Sequence, residues 1–109
     1  MNVMVKGRLS IRREGPLYRA HFDEQQGEHG AQDSLCFSDD QEVFDYLVSI
    51  QDPSMKSERP EDRAKQWMME LRNTESLVLD PVDLTKEQAI RYRPDQEVRI
   101  RKLVNLHDH

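Results

Sequence analysis

Apolar and polar residues alternate along residues 3–12 and again along residues 17–22. A period of two residues is typical of strands that bury one face. Glu14-Gly15 lies between the two runs and predicts a turn, so we predict a β-hairpin over Val3–Phe22. Because Pro16 has no N–H to help close a tight turn, a slightly open loop is expected.

A turn centred on Glu14-Gly15 sets the expected register of this hairpin. It pairs Ile11 with Tyr18 and Leu9 with Ala20 on the apolar face. The opposite face carries most of the basic side chains of the hairpin. A slip of one residue would exchange the two faces, so the alternation specifies which side is buried.

The chain next becomes polar and then helical. Residues 23–34 contain two glycines and Ala31 as their one apolar residue, which predicts a mobile surface loop. A short third strand is expected at residues 35–37. Apolar residues then recur at helical spacing up to Ile50, and Ser38-x-x-Gln41 fits a capping box at the start of this first helix.

A second helix is predicted over residues 58–72. Further on, residues 77–79 predict a short buried strand before Asp80-Pro81, and Thr85-x-x-Gln88 predicts the capped start of a short helix over residues 86–91. Residues 97–106 fit either a strand or a helix, and their alternating start favours a strand.

These elements predict an α+β fold: a small antiparallel sheet that starts with the N-terminal β-hairpin, with two amphipathic helices packed on one face. The 109 residues predict a single domain, residues 1–109, with a frayed tail at residues 105–109. Leu, Ile, Val and Phe account for 25 of the 109 residues. Because the core is therefore small, we expect a protein partner or self-association to cover part of the surface.

The net charge of −5 hides two basic ends and an acidic middle. Residues 1–22 hold five basic residues and one acid, whereas residues 23–62 hold twelve acids and two basic residues. A basic sheet face can neutralise phosphates, so nucleic-acid binding is one hypothesis for the outer face of the hairpin, through Lys6, Arg8, Arg12 and Arg19. The acidic net charge and the absence of aromatic residues from that face count against it. The alternative is a solvated face, or a face neutralised by the acidic middle of the same chain.

The second helix supplies another candidate surface. Trp67 and Met68 share its apolar stripe with Ala64 and Leu71, which favours core packing, whereas Met69 falls off the stripe. Trp and Met are enriched at protein interfaces. Trp67, Met68 and Met69 are therefore the hypothesis for a partner-binding patch or a dimer seam.

The residue types that support catalysis or metal binding are sparse. His107 and His109 lie in the expected tail and His21 and His29 lie at or in the polar loop, so no metal site and no cofactor are expected. Cys36 precedes an acid-rich helix start and is expected to be a buried structural residue. The chain has no Gly-rich phosphate loop and no recognised nucleophile or zinc motif, so we do not expect an enzyme.

These observations favour a small acidic protein-interaction or adaptor protein, or a subunit of a larger assembly, with a nucleic-acid-binding accessory protein as the alternative. No apolar run is long enough to span a bilayer, so no membrane contact is expected. A single cysteine cannot form an internal disulfide, which is consistent with the reducing cytoplasm.

Overall fold

A computed structural model describes residues 4–25, 33–51 and 59–92. In this part of the chain the secondary-structure elements, in order, are β1 (Met4–Glu14), β2 (Leu17–Glu24), β3 (Leu35–Phe37), α1 (Asp40–Ser49), α2 (Pro60–Thr74), β4 (Ser76–Thr85) and α3 (Lys86–Ile90). The predicted segment at residues 97–106 and the predicted tail at 105–109 lie outside the described residues, as does most of the predicted loop at 23–34.

The described strands form one antiparallel sheet in the order β3-β2-β1-β4. Its apolar side chains form a single core with those of the helices, and α1, α2 and α3 pack against the same side of the sheet. The predicted α+β fold is confirmed, including the hairpin, the short strand at residues 35–37 and the capping box of Thr85 and Gln88.

The predicted hairpin register is wrong by two residues. Glu14 pairs with Leu17, which moves Ile11 opposite Ala20. The turn is the tight two-residue Gly15-Pro16, and Gly15 has a φ of 60°, as a type II′ hairpin turn requires at its first central position. Pro16 occupies the second central position, where no N–H is needed. A shift of two residues leaves each side chain on its predicted face.

The cap of α1 also differs from the prediction. Asp39 is the N-cap residue, and its carboxylate accepts a hydrogen bond from the Glu42 N–H at 2.9 Å. Glu42 in turn accepts from both the N–H and the hydroxyl of Ser38, at 3.0 and 2.8 Å. The helix begins one residue later than the Ser38 box predicted because Asp39 competes for the cap with an equally good acceptor.

Strand β4 is much longer than the predicted segment at residues 77–79. It continues through Asp80-Pro81, where the pairing with β1 shifts by one residue between Gly7 and Leu9. Pro81 is compatible with this position because β4 is an edge strand among the described residues and the ladder is interrupted there by a bulge.

Helix α2 ends on Glu75, which has a φ of 61° and donates its N–H to the Leu71 carbonyl at 2.7 Å. This left-handed cap places Ser76 directly at the start of β4. The predicted helix over residues 58–72 is displaced by two residues at each end, since α2 runs from Pro60 to Thr74. The tight connection brings the end of α2 next to the outer face of β1.

Two polar contacts hold the helices in place. The hydroxyls of Tyr46 and Tyr92, both buried, lie 2.6 Å apart, and burial raises the pKa of each phenol. Nearer the surface, Asp40 accepts hydrogen bonds from the Tyr18 hydroxyl and, at 3.1 Å, from the Arg72 guanidinium. These contacts lower the pKa of Asp40, with the Tyr18 hydrogen bond as the main cause.

Candidate functional site

The outer face of the sheet is the side that the described helices leave uncovered. Strand alternation places Lys6, Arg8 and Arg12 of β1 on this face, together with Arg19 and His21 of β2. The structure therefore brings together the four basic residues predicted for the nucleic-acid hypothesis.

Acidic residues neutralise much of this basic face. Arg8 forms an ion pair with Asp80 at 3.1 Å. Arg19 pairs with Glu14 at 2.7 Å and also donates to the Ser34 hydroxyl at 2.7 Å. Lys6 lies opposite Asp83 in the register of β1 and β4. The carboxylates come from Glu14 at the end of β1 and from β4, whose presence beside β1 the local sequence pattern did not predict.

Arg12 differs from the other two arginines of this face. It lies between Arg19 on β2 and Ser76 on β4, and its side chain forms no hydrogen bond or ion pair within the described residues. Like charges directly opposite each other on neighbouring strands repel. Arg19 is compensated by Glu14, so the uncompensated positive charge of this pair remains on Arg12.

An open groove of about 570 Å³ lies beside Arg12. Its floor crosses three strands and its lining includes Ser10, Arg12, His21, Ser76 and Val78. We refer to it as the Val78 groove. Its volume falls in the range of small-ligand sites, about 300–1,000 Å³.

The rim of the Val78 groove is formed by Arg13, Thr74 and Glu75. Arg13 and Glu75 are joined by a backbone hydrogen bond of 3.1 Å, so the tight connection between α2 and β4 builds this rim. Glu75 therefore brings an acidic residue to the edge of a site whose floor includes Arg12.

Val78 is the apolar part of this groove, and 54% of its surface is exposed. It pairs with Ser10 in the register of β1 and β4, and Ser10 pairs with His21 on the other side. Because Leu77 faces the core, the alternation of β4 sends Val78 to the opposite side. The sequence does not show this alternation as a pattern of apolar and polar residues, because residues 77–79 are all apolar.

Cys36 is exposed, which contradicts the prediction of a buried cysteine. It lies opposite Arg19, on the outer face of β3. Its neighbours Leu35 and Phe37 both point toward the core, so strand alternation turns Cys36 to the solvent.

The three residues of the predicted partner patch on α2 lie in three different environments. Met68 is a core residue with 5% of its surface exposed, Met69 is 61% exposed, and Trp67 is partly buried against the core. The Arg63 guanidinium lies 5.9 Å from the Trp67 ring centre. Trp67 and Met69 could touch a partner, whereas Met68 has almost no surface to offer.

In the described ranges, no three His, Cys, Asp or Glu side chains form a cluster that could hold a metal ion. His29, His107 and His109 lie outside those ranges. No helix of the described residues is long and apolar enough to cross a membrane.

The Val78 groove thus lies beside paired charges on the outer face of the sheet. Comparisons with protein-family models, with curated proteins and with solved structures found no match.

Proposed function

We propose that this protein is a non-catalytic interaction protein of the cytoplasm, an adaptor or a subunit of an assembly, that binds a protein partner in the Val78 groove. The observation that carries the proposal is the exposed Val78 beside Arg12, whose side chain has no partner among the described residues, on an open sheet face. An apolar centre surrounded by polar residues is the usual arrangement of a protein–protein interface.

The distribution of exposed apolar side chains supports the choice of face. Among the described residues, the large apolar side chains that are exposed are Met4, Leu17, Met69 and Val78. Strand alternation puts all of these except Met69 on the outer face of the sheet. Met4 and Leu17 lie near the two ends of the hairpin, so Val78 is the member of this set that lies within the groove.

The nucleic-acid alternative has less support from the same face. A bound strand presents regularly spaced phosphates and needs a continuous positive track. Here Asp80, Asp83 and Glu14 interrupt that track, and the aromatic residues Tyr18 and Phe22 lie on the buried side. A gel shift with salt titration checks this alternative directly, since binding through phosphates would weaken steeply with salt.

The proposal is tested by exchanging one exposed apolar residue on each side of the molecule. Val78→Lys places a charge in the groove, and Met69→Lys is the matched control on α2. Tagged wild-type and variant proteins are isolated from the native cell, and the proteins that co-purify with each are quantified by mass spectrometry. A protein that co-purifies with the wild type but not with Val78→Lys is then purified, and its binding to the wild-type protein is measured with the two purified components alone.

We expect Val78→Lys to lose a partner that Met69→Lys retains, with both variants folded by circular dichroism. Loss in Met69→Lys or Trp67→Ala alone would move the interface to α2 and overturn the proposal. Salt-sensitive nucleic-acid binding that is lost in Arg8→Glu/Arg19→Glu, with no protein lost in Val78→Lys, would favour the alternative function.

A further inference from the structure

We propose that the Val78 groove recognises an extended peptide segment with an acidic residue and an apolar residue two positions apart. The acidic side chain binds Arg12 and the apolar side chain packs on Val78. This inference rests on the proposed function and names the chemistry of its partner.

The acidic half of the motif follows from the state of the arginines on this face. The guanidinium groups of Arg8 and Arg19 are already held by Asp80 and Glu14. Among the described residues no carboxylate is paired with Arg12, whose planar guanidinium is well suited to bind one. The hydroxyls of Ser10 and Ser76 lie in the same groove, and neither hydroxyl has a described hydrogen-bond partner. They can donate to the same carboxylate.

The spacing of the motif follows from the register of β1 and β4. Arg12 pairs with Ser76, and Val78 lies two residues further along β4. Such diagonal neighbours are about 7–8 Å apart. In an extended peptide, side chains two positions apart point the same way and are about 7 Å apart. An acid at one position can therefore reach Arg12 while an apolar residue two positions away covers Val78.

The edge of β4 disfavours the other common way of binding a peptide, the addition of a strand. The hydrogen bond from the Arg13 N–H to the Glu75 carbonyl sets the ladder so that Ser76 and Val78 direct their backbone groups away from β1, to the edge that no other described strand covers. The Ser76 carbonyl already accepts from the Thr74 hydroxyl at 2.7 Å, and Pro81 has no N–H to donate. Both features discourage strand addition, so the peptide is expected to lie on the face.

The charge around the groove selects a single acidic residue over a polyanion. Glu75 lies on the rim, and Asp80 and Glu14 lie beyond the floor along the strands. A chain of closely spaced phosphates on Arg12 would approach at least one of these carboxylates. A peptide with one acid avoids that repulsion, and its neighbouring N–H groups can donate to Glu75.

The test uses an array of acetylated hexapeptides in which each of the twenty amino acids is placed at the third and at the fifth position. The full-length protein is incubated with the array, and the best peptide is then titrated into isotope-labelled protein and followed by NMR. We expect the array to select Asp or Glu at one of these two positions and an apolar residue at the other. In the NMR titration, the chemical-shift changes should be confined to residues of the Val78 groove.

Two matched variants connect the binding to Arg12. Arg12→Gln is expected to lower the affinity for the peptide about tenfold, because it removes a hydrogen bond to a charged group. Arg8→Gln removes an arginine that is already paired and should leave the affinity within about twofold. Both positions are exposed, so both variants should keep the wild-type NMR spectrum outside the groove.

Several outcomes would overturn the inference: no array signal above background, selection of basic residues, equal affinity in Arg12→Gln, or tighter and salt-sensitive binding of a thymidine oligonucleotide. If the array is negative while Val78→Lys still loses its partner, the groove remains the interface and the proposed peptide motif is wrong. If both tests are negative, the interface itself is wrong.

Discussion

The two faces of the sheet are made by the same strands and have opposite chemistry. On the inner face, Leu9, Ile11 and Ala20 have no exposed surface and pack beneath the helices. On the outer face, neighbouring positions of the same strands carry arginines and serines that remain partly or fully exposed. One residue along a strand thus separates a position that stabilises the fold from one that is available for binding.

The difference has a functional consequence. A substitution on the inner face changes the free energy of unfolding, so a loss of binding there would be hard to interpret. The outer face tolerates change because most surface substitutions alter stability by less than about 0.5 kcal/mol. Three expected changes in unfolding free energy, from the largest to the smallest, test this difference between buried and exposed positions.

The largest effect is expected from adjacent positions on β1. Leu9→Ala leaves a cavity in the core and should cost about 2–5 kcal/mol of unfolding free energy, whereas Ser10→Ala should stay within about 0.5 kcal/mol. Urea unfolding followed by circular dichroism measures both. Similar losses in the two variants would mean that the outer face is covered in solution, as self-association through the groove would produce.

The buried tyrosine pair predicts a smaller, non-additive effect. Tyr46→Phe leaves the Tyr92 hydroxyl buried without its partner at 2.6 Å, which should cost about 1–3 kcal/mol, and removing both hydroxyls should cost less than the two single changes added together. A double-mutant cycle from urea unfolding of Tyr46→Phe, Tyr92→Phe and the double variant gives this coupling. Additive losses would show that the hydroxyls do not depend on each other.

The smallest effect depends on pH. The Tyr18 hydrogen bond and Arg72 lower the pKa of Asp40, so the ionised carboxylate stabilises the fold above its ordinary pKa of 3.8. That stability is lost as the pH falls through the lowered folded-state value. Asp40→Asn should therefore reduce stability at pH 7, by about 1 kcal/mol or less for so exposed a pair.

The difference between Asp40→Asn and the wild type should shrink as the pH falls from 4 toward 2, which unfolding curves across that range measure. Asp80→Asn on the outer face is the matched control, and its change in unfolding free energy at pH 7 should be near zero. A constant difference across that range would assign the effect to the amide substitution and not to the charge of Asp40.

The local sequence pattern predicted some features of the fold correctly and others wrongly. The alternation in residues 3–12 correctly predicted which side chains of β1 are buried, and Thr85 with Gln88 correctly predicted a cap, because both depend on nearby residues. The hairpin register required the choice between two possible turn centres. The positive φ of Gly15 decided it and moved every pair by two positions.

At the candidate site, the local sequence could not predict which charged side chains pair with each other. The sequence singled out Lys6, Arg8, Arg12 and Arg19 as a basic set. It did not indicate which of these side chains would have no partner among the described residues. Arg8 is neutralised by Asp80, which lies 72 residues away along the chain. Local periodicity carries no information about such a contact, so Arg12 stood out only when β4 was in place beside β1.

The sequence by itself determined the fold class, the buried face of the hairpin and the helical stripes, because these follow from periods of two and 3.6 residues along the local chain. Only the tertiary structure decided that β4 lies next to β1, that Arg12 has no ion-pair partner in the described part of the chain and that Val78 lies in a groove. Those properties arise where distant segments meet, and their energies depend on partners that the local sequence does not contain.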